Sequence, residues 1–425
     1  MAQTNSVKIV EAIQVTPSSN LPKSANEFTL PLTFFDILWF KFAPVDCLYF
    51  FQLTDSTSTP SYFYSEMLPK LNQSLSLTLN DYFPLTGYLK WPSDSPKPLI
   101  SYTPNNGISL TVAECNYVEN FVSLFSNQMH KAKGLTPLVP ELISSEDEAE
   151  IMSLQITFFP HQGFCLAARF HHAAIDGKTA IMFIMSWAYL CKNGGNGNDQ
   201  LDSVYLSRMT TIARNLKVMQ KIDSVSDDLV LATFEFRQED IKNLRHHALS
   251  ELDKAKQDNI QFHHHYLSTF VLTLAYTVTC LVKTKGDEDR NVIIALSADC
   301  RARLDPPIPI TYFGNCIMAF ESCPEKARNF MDEKAGFGFA VEMVNDLVRQ
   351  VKNGILKGAE EKFVEAHREN SQIISVAGSP KLNFYGCDFG WGKAKKVEIL
   401  SIVGSGAVSM TESRDGSGGV EIADV

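Results

Sequence analysis

The sequence predicts a mixed α/β fold in two domains. Strand and helix patterns alternate along the chain without an internal repeat, which is typical of α/β proteins. The chain has 425 residues, which is too long for one ordinary core, so two domains of about 200 residues each are expected. Hydrophobic residues make up 45% of the chain, which is enough to build both cores. We expect one domain over residues 1–192, a crossover over 193–228 and a second domain over 229–425.

The net charge narrows the possible partners. A formal net charge of −10 argues against nucleic acid as the main partner.

The sequence also indicates where the protein is located. The longest apolar stretches, such as residues 269–282, are shorter than the roughly 20 residues that a membrane span needs. The first residues, MAQTNSVKIVEAIQV, do not have the pattern of a signal or transit peptide, so a cytoplasmic location is expected. Nine cysteines are scattered singly, which argues against a zinc site and a disulfide framework and favours reduced core residues.

A strand hairpin followed by a helix is predicted in the middle of the chain. Residues 151–159 (IMSLQITFF) and 164–170 (FCLAARF) have the composition of strands, and PHQG between them marks a turn. The apolar residues of 178–192 recur at helical spacing. Residues 171–177 (HHAAIDG) therefore lie in a strand-to-helix turn. A second strand and helix, over 229–236 and 238–249, mark the start of the second domain.

The turn HHAAIDG has the side chains of an acid–base site. A neutral imidazole is well suited to take a proton from a hydroxyl or an amine at neutral pH, so His172 is a candidate general base. Asp176 lies four residues later and can orient the structure beneath the histidine. Gly177 can adopt a positive φ that other residues resist. Taken alone, such a pair is also typical of ordinary polar residues that cap the end of a strand.

A second motif, DFGWG at residues 388–392, lies near the end of the chain. Its glycines allow a close approach to a ligand, and the lysines that follow in KAKK could attract phosphate. A buried aromatic turn with a solvated charge run is the simpler interpretation. The D-F-G of a protein kinase is excluded, because H-R-D and a Gly-rich loop are missing upstream. The residues of this region are Asp388, Phe389, Gly390, Trp391, Gly392, Lys393, Lys395 and Lys396.

Together, HHAAIDG and DFGWG resemble the motifs of the BAHD acyltransferases, plant enzymes that move an acyl group from coenzyme A to an oxygen or a nitrogen. The segments YFGNC (312–316) and AGSPKL (377–382) are similar to the branch that acylates sugars on anthocyanins and other flavonoid glycosides, often with malonyl groups. The resemblance covers nearly the whole chain, with further similar segments in the expected order: LPLTFFD (30–36), SLSLTLNDYFPLTGYL (74–89), STFVLTLAYTVTCLVK (268–283) and DCRARLDPPIP (299–309).

The resemblance implies a fold and a mechanism. The fold is two similar chloramphenicol-acetyltransferase-like α/β domains, with the active site in a channel at their interface. His172 matches the general base, which deprotonates the acceptor so that it attacks the thioester directly. Asp176 matches the carboxylate that ties the turn to an arginine. We expect this arginine to be Arg301 or Arg303, with Asp388 pairing with the other.

The resemblance also implies the partners. Acyl-CoA is expected as a co-substrate, with no permanently bound cofactor, and the acceptor as a glycosylated small molecule. The protein is expected to act as a monomer. For the coenzyme, the candidate contacts are Ser379, Lys381, Lys393, Lys395 and Lys396, and the three lysines after DFGWG are expected to be exposed.

The donor and the oxyanion contact depend on finer features. Hydroxycinnamoyl-transferring relatives carry a Trp shortly before DFGWG where this chain has Ser379, so Ser379 is a candidate oxyanion donor and Ser375 a second one. A malonyl group would need a cation, for which the sequence offers Lys178, Arg169 and Arg301. An acetyl group would need a small neutral pocket instead, and an aromatic acyl group more room.

Two other functions fit parts of the sequence. HHAAIDG also fits the pattern of condensation-type peptide-forming domains, although these lack DFGWG. A catalytically silent, ligand-binding paralogue is the alternative of another class, because relatives usually continue beyond SGGVEIADV. Other polar clusters are given ordinary roles: a polar loop before a helix capped by Ser268 or Thr269 for HHH (263–265), a helix surface for His246 and His247, and a solvated loop for SSEDEAE (144–150).

Overall fold

A computed structural model gives the architecture of the chain. It describes residues 7–18, 27–40, 42–91, 98–116, 121–127, 129–194, 228–257, 267–352, 354–356, 371–403 and 405–425. Two compact units form. Unit 1 comprises Met1–Ala232, Pro309–Cys316 and Leu382–Ser405. Unit 2 comprises Thr233–Ile308, Ile317–Lys381 and Gly406–Val425.

The strands and helices of the described residues alternate, as the sequence predicted. The strands are β1 (Val7–Val15), β2 (Phe28–Pro31), β3 (Val45–Gln52), β4 (Tyr88–Lys90), β5 (Leu99–Tyr102), β6 (Ile108–Cys115), β7 (His130–Lys131), β8 (Glu148–Glu150), β9 (Met152–Phe159), β10 (Gly163–Phe170), β11 (Val230–Phe236), β12 (Asn291–Asp299), β13 (Ile317–Glu321), β14 (Glu325–Lys326), β15 (Ser371–Ala377), β16 (Lys396–Ile399), β17 (Ala407–Glu412) and β18 (Val420–Asp424). The helices are α1 (Phe34–Ile37), α2 (Pro60–Tyr62), α3 (Leu68–Thr78), α4 (Ala132–Leu135), α5 (Gly177–Lys192), α6 (Gln238–Gln257), α7 (Thr269–Thr284), α8 (Ala327–Met331) and α9 (Gly336–Lys352).

The units are discontinuous in sequence, which differs from the contiguous domains expected over 1–192 and 229–425. Residues 309–316 and 382–405 belong to unit 1. The physical reason for the second segment is strand pairing, because β16 lies antiparallel to β3 at the edge of a sheet of unit 1. A local sequence pattern does not reveal a pairing between strands that are so far apart in the chain. Most of the expected crossover, residues 195–227, lies outside the described residues.

The described residues of unit 1 form two sheets. The larger sheet has six strands in the order β1-β6-β9-β10-β3-β16, and the smaller has four in the order β2-β5-β4-β8. In the larger sheet, β6 and β9 are parallel. All eight residues of β9 are buried, as expected for a strand that is covered on both faces. This strand lies within residues 151–159, for which the sequence predicted a strand.

The predicted hairpin and the helix after it are confirmed. Strands β9 and β10 pair antiparallel, with Phe159 opposite Gly163, and His161 in the turn has a φ of +63°. Helix α5 follows β10 after six residues. It packs against α3, and the Trp187 indole N–H donates to the Leu71 carbonyl at 3.0 Å. This contact fixes the helix behind the HHAAIDG turn.

Unit 2 is built on one sheet with helices packed together beside it. The strand order is β13-β12-β15-β17-β18-β11, with β12, β15 and β17 parallel. The helix α7 contacts α6, α8 and α9. Its N-cap is Ser268, whose hydroxyl accepts a hydrogen bond from the Val271 N–H, as predicted. The segment HHH at 263–265 lies outside the described residues.

Three smaller predictions can be compared with the structure. His246 and His247 are exposed on α6, as expected. The acidic run at 144–150 is not wholly a loop, because its end forms β8 and the Glu150 carboxylate is buried, where it accepts from the Ser109 hydroxyl. Seven of the nine cysteines are buried. Within the described ranges, no helix has both the length and the apolar character to cross a membrane.

Candidate active site

His172 lies in the turn between β10 and α5. The turn is closed by Asp176, which is fully buried at the N-cap of α5. Its Oδ1 accepts a hydrogen bond from the Thr179 N–H at 2.9 Å, which satisfies one of the free N–H groups at the start of the helix. The carboxylate therefore holds the turn by local hydrogen bonds.

Gly177 does not have the conformation expected from the sequence. It is the first residue of α5 and is not among the glycines with positive φ. A Cβ at this position would meet only the Leu382 side chain, at 3.9 Å, which is an ordinary contact. Neither backbone strain nor lack of space therefore requires glycine here.

A second segment of unit 1, residues 312–316 (YFGNC), contacts the turn at both ends. The Asn315 Nδ2 donates to the His172 carbonyl at 2.8 Å. The Cys316 N–H donates to Oδ2 of Asp176 at 3.0 Å. The Thr179 hydroxyl donates to the Gly314 carbonyl at 3.1 Å. These contacts connect the candidate base, the Asp176 carboxylate and the start of α5 to one short loop.

A buried carboxylate from α1 holds this loop in turn. Oδ1 of Asp36 accepts from both the backbone N–H and the Nδ2 of Asn315, each at 3.1 Å. Oδ2 of Asp36 accepts from the N–H and the hydroxyl of Thr33, at 2.6 and 2.7 Å. Both Asp36 and Asn315 have an exposed fraction of 0%. Three segments distant in sequence are therefore joined beside His172.

Two aromatic side chains pack against the His172 imidazole. Trp39 stacks on it with ring centroids 4.3 Å apart and planes 9° from parallel. Phe42 approaches edge-on, with its centroid at 6.2 Å from that of His172. This packing restricts the rotation of the imidazole. It also places an electron-rich ring face where an imidazolium would be stabilised.

Burial sets the protonation of the two histidines. It lowers the pKa of His172, and this effect is only partly offset by the carbonyl of the same residue, by the Asp176 carboxylate, by the Asn315 side chain and by the Ile175 carbonyl. Burial, together with the charge of His172, lowers the pKa of His171 to about 4. Both imidazoles are neutral at pH 7. His172 is therefore in the form that can accept a proton.

The DFGWG segment forms a separate structural turn in unit 1. One oxygen of the Asp388 carboxylate accepts from the N–H groups of Gly390 and Gly392, at 2.8 and 3.1 Å. The other forms an ion pair with Lys192 at 2.7 Å. Partial burial opposes ionisation, but these contacts outweigh it and lower the pKa of Asp388. Lys192, at the end of α5, thus reaches the Asp388 carboxylate from within the same unit. The expected pairing of Asp388 with an arginine of unit 2 stays a prediction.

The aromatic residues of the motif pack into unit 1. Phe389 is fully buried and meets Trp187 of α5 edge-on, with ring centroids 5.0 Å apart. The Trp391 indole N–H donates to the Tyr62 hydroxyl at 3.4 Å, and the Lys70 ammonium lies 5.2 Å from the Trp391 ring centroid. The segment therefore links α5 with the region of α2 and α3.

The three lysines after DFGWG differ in exposure. Lys393 and Lys395 are exposed, as expected. Lys396 is not, because it lies in β16 with a side-chain exposure of 1% and forms an ion pair with Glu398 at 2.9 Å. The prediction that Lys396 is exposed and available to a coenzyme phosphate is therefore wrong. The last lysine of KAKK is therefore the first residue of a buried strand.

The remaining candidates belong to unit 2, and their predicted roles stay predictions. Arg301 is buried and donates to the Asp299 carboxylate at 3.2 Å, and Arg303 donates to the Asp299 carbonyl. Ser379 is half-buried. The other two are Ser375, in β15, and the exposed Lys381.

The sequence reasoning missed four residues that build the site. Asp36 and Trp39 lie in or just after the segment LPLTFFD, which was noted only as a similarity. Asn315 and Cys316 end YFGNC, which was used only to mark a branch. One signal was available: the apolar segment LPLTFFD contains a single acidic residue, Asp36. A carboxylate that is buried with such a segment needs hydrogen-bond donors. No local pattern indicates which segment supplies them.

Comparison with known proteins shows the family. The model of the transferase family matches residues 5–425. The chain belongs to this family, that of the BAHD acyltransferases. The predicted family and the predicted class of enzyme, an acyltransferase, are confirmed.

Three relatives from Arabidopsis thaliana span nearly the whole chain. Phenolic glucoside malonyltransferase 1 is 39% identical, over 98% of this chain and 94% of its own length. Malonyl-CoA:anthocyanidin 5-O-glucoside-6''-O-malonyltransferase is also 39% identical, with the same two coverages. Agmatine coumaroyltransferase is 35% identical, over 98% of this chain and 95% of its own length. Two of these names specify a malonyl donor and a glucoside, and the third an aromatic donor and an amine.

The fold is that of known structures. Vinorine synthase superposes with a TM-score of 0.73 at 18% identity, over 98% of this chain and 94% of its own. At this identity the likeness concerns the fold. The predicted α/β fold class is therefore confirmed.

Proposed function

We propose that this protein transfers a malonyl group from malonyl-CoA to a sugar hydroxyl of a phenolic glycoside, such as a flavonoid or anthocyanin glucoside. The observation that carries the proposal is a partly buried, neutral His172 held by Trp39 and Asn315, in a chain with relatives named for malonyl transfer to glucosides. The role of Asp176 is architectural, since both its oxygens accept hydrogen bonds from the backbone.

The reaction is a direct transfer. His172 takes the proton of the sugar hydroxyl while the oxygen attacks the thioester carbonyl and forms the new C–O bond. The C–S bond then breaks, and the leaving thiolate takes the proton from the imidazolium. The products are the malonyl ester and free coenzyme A. Burial suits this step, because an imidazole with a lowered pKa is ready to accept a proton at neutral pH and releases it readily.

Lys178 is the cation that we assign to the malonyl carboxylate. The other two cations that the sequence offered are engaged: Arg169 forms a bidentate ion pair with Asp46, at 2.7 and 2.9 Å, and Arg301 is bound to Asp299. Lys178 is half-buried, directly after the HHAAIDG turn. Across the described residues it is engaged in no ion pair. An ammonium in this position suits a carboxylate-bearing acyl group.

Further parts of the proposal concern the coenzyme and the setting. Lys393 and Lys395 are exposed point charges suited to a coenzyme phosphate, and Ser379 and Lys381 are retained as candidates for the coenzyme and the oxyanion. Asp176 is proposed to pair in addition with Arg301 or Arg303. The enzyme is proposed to act as a monomer in the cytoplasm.

Thiol release from acyl-CoA tests the proposal. Malonyl-, acetyl- and p-coumaroyl-CoA are each offered with a panel of phenolic and flavonoid glucosides and with agmatine, and products are identified by mass. We expect turnover with malonyl-CoA and a glucoside. The variant His172→Ala should lose at least about 10²-fold of the rate, since general-base catalysis contributes that much or more.

Circular dichroism of His172→Ala shows whether that variant is folded. Turnover only with p-coumaroyl-CoA and agmatine would replace both proposed substrates. Binding of a glucoside without turnover, by folded native protein, would instead support the silent paralogue. Full activity in His172→Ala would remove the assigned base.

A further inference from the structure

Two buried polar atoms beside the candidate base have no hydrogen-bond partner. They are Nδ1 of His172 and Oδ1 of Asn315, and neither has one within the described residues. A buried polar atom without a partner is costly and calls for an explanation. One of the two is a ring nitrogen that can carry a proton, and the other is an acceptor.

The orientation of the Asn315 amide is fixed by its neighbours. Its Nδ2 donates both to the His172 carbonyl and to Oδ1 of Asp36. Both partners are acceptors, so the nitrogen must face them and the oxygen must take the other position. Asp36 also accepts the Asn315 backbone N–H and is itself held by Thr33. The amide oxygen therefore has little freedom to turn away.

We propose that Asn315, anchored by Asp36, is a positioning residue for His172: its Oδ1 accepts the Nδ1–H of the imidazole and so keeps Nε2 free to take the proton of the acceptor. This inference rests on the proposed function. The arrangement serves as the third member does in a hydrolase triad, where a fixed acceptor selects the tautomer of the histidine. Such hydrogen bonds are often long in the resting enzyme and tighten during the reaction.

The electrostatics agree with this role. Burial has the largest effect on the pKa of His172 and lowers it, whereas the His172 carbonyl, the Asp176 carboxylate, the Asn315 side chain and the Ile175 carbonyl raise it. The contribution of Asn315 has the sign expected of an acceptor that faces a ring N–H. The titratable groups that interact with the ring are His171 and Asp176, both on its own turn. Asp36, on α1, contacts Asn315. Trp39 and Phe42, which pack against the ring, carry no charge.

Steady-state kinetics of Asn315→Ala tests the proposal. With malonyl-CoA and the glucoside that the native enzyme uses, we expect kcat to fall about 10²-fold, since misplacement of a catalytic group costs this much, with KM little changed. The acid limb of the kcat–pH profile should move to lower pH, because the acceptor that raises the pKa of His172 is lost. Asn315→Asp retains an oxygen and should move that limb to higher pH.

A structural role alone would give a different result. It would lower the melting temperature and the activity at every pH without moving the limb. The control is Asn345→Ala, in unit 2, which removes another buried asparagine and should leave kcat and the pH profile unchanged. If Asn315→Ala does not fold, Asp36→Asn can replace it, because this variant weakens the anchor of Asn315 and keeps the Asn315 side chain. It should lower kcat and move the acid limb to lower pH, both by less than Asn315→Ala.

Nitrogen-15 NMR of the histidine rings provides a readout that needs no turnover. We expect the Nδ1–H tautomer of His172 in the native protein and a mixture of tautomers in Asn315→Ala. An unchanged tautomer together with an unchanged pH limb would overturn the proposal. No turnover by the native protein would instead count against the proposed function, while the NMR comparison would still decide the role of Asn315.

Discussion

The surroundings of His172 suit the role of general base that we propose for it. Its ring stacks on Trp39, Phe42 approaches it edge-on, and its carbonyl is held by Asn315. Burial keeps the imidazole neutral at pH 7 by lowering its pKa. In the proposed reaction, the imidazolium of His172 would lie against the face of Trp39, and such a ring face stabilises a cation. The same packing therefore favours the neutral resting form and moderates the cost of the charged one.

The choice of donor is expected to depend on one residue, Lys178. Lys178→Met should lower kcat/KM for malonyl-CoA by about 10- to 100-fold, since a hydrogen bond to a charged group contributes about 1.5–3 kcal/mol. The acetyl group of acetyl-CoA has no carboxylate that could contact Lys178, so the kcat/KM for acetyl-CoA should not fall. Lys178→Arg should retain most of the malonyl activity. The measurement is initial thiol release over a range of each donor.

The matched control for this donor test is Lys133→Met, an exposed lysine in the same unit, which should change neither donor. Equal losses for malonyl- and acetyl-CoA in Lys178→Met would show that the lysine acts on the coenzyme or on the fold. An unchanged rate with both donors would show that the carboxylate is bound elsewhere.

At the residue scale, the sequence indicated the candidate catalytic residues but not the residues that hold them in place. His172 and Asp176 could be found because their spacing is local and they lie in a turn. Trp39, Asp36 and Asn315 could not, because each acts through a contact with a segment far away in the chain. The error at Lys396 has the same origin, since a charged residue is read as exposed unless its partner is known.

At the element scale, two glycines near the motifs should respond in opposite ways to alanine. Gly392 has a φ of +106°, whereas Gly177 starts α5 without a positive φ. A Cβ at Gly392 would meet nothing within 4 Å, and one at Gly177 would make only an ordinary contact. Gly177→Ala should therefore raise the free energy of unfolding by about 0.5 kcal/mol, and Gly392→Ala should lower it by more than about 1 kcal/mol.

Urea unfolding measured side by side for the two variants tests this pair. Because neither added methyl meets an obstacle, the difference between them reports the backbone conformation alone. A destabilised Gly177→Ala variant would show that the start of α5 departs from a regular helix. A neutral Gly392→Ala variant would show that the DFGWG turn readily changes shape.

The elements themselves were largely predictable. Strands β9 and β10, the turn between them and helix α5 follow from apolar periodicity and from turn residues, which are local signals. Strand β8 was not predicted, because its acidic residues are typical of a loop, and its pairing with β4 is a contact between distant segments. Burial of Glu150 follows from that pairing.

At the scale of the whole molecule, each of the two units is built from three separate segments of the chain. Two α/β units could be expected from length and from the alternation of elements. That residues 382–405 return to unit 1 could not, since the pairing of β16 with β3 joins residues at opposite ends of the sequence. DFGWG lies in this returning segment, and its contacts with Lys192 and Trp187 attach it to the helix behind His172.

The stability of unit 1 should therefore depend on a residue late in the chain. Lys396→Met removes the cation that pairs with the Glu398 carboxylate, which is 3% exposed in its side chain. Loss of one partner of a buried ion pair costs about 3–5 kcal/mol, whereas replacement of both by apolar residues is often neutral. We therefore expect Lys396→Met to lower the free energy of unfolding by about 3–5 kcal/mol. The double variant Lys396→Met with Glu398→Leu should recover most of this loss.

Tryptophan fluorescence is the suitable probe, because all four tryptophans of the chain belong to unit 1. Its denaturation midpoint should fall in Lys396→Met. The exposed neighbour Lys395 provides the control, and Lys395→Met should change the free energy of unfolding by less than about 0.5 kcal/mol. Equal midpoints for Lys396→Met and Lys395→Met would show that the ion pair is dispensable for holding β16. A fall seen by circular dichroism but not by fluorescence would place the loss in unit 2, which contradicts the assignment of residues 382–405 to unit 1.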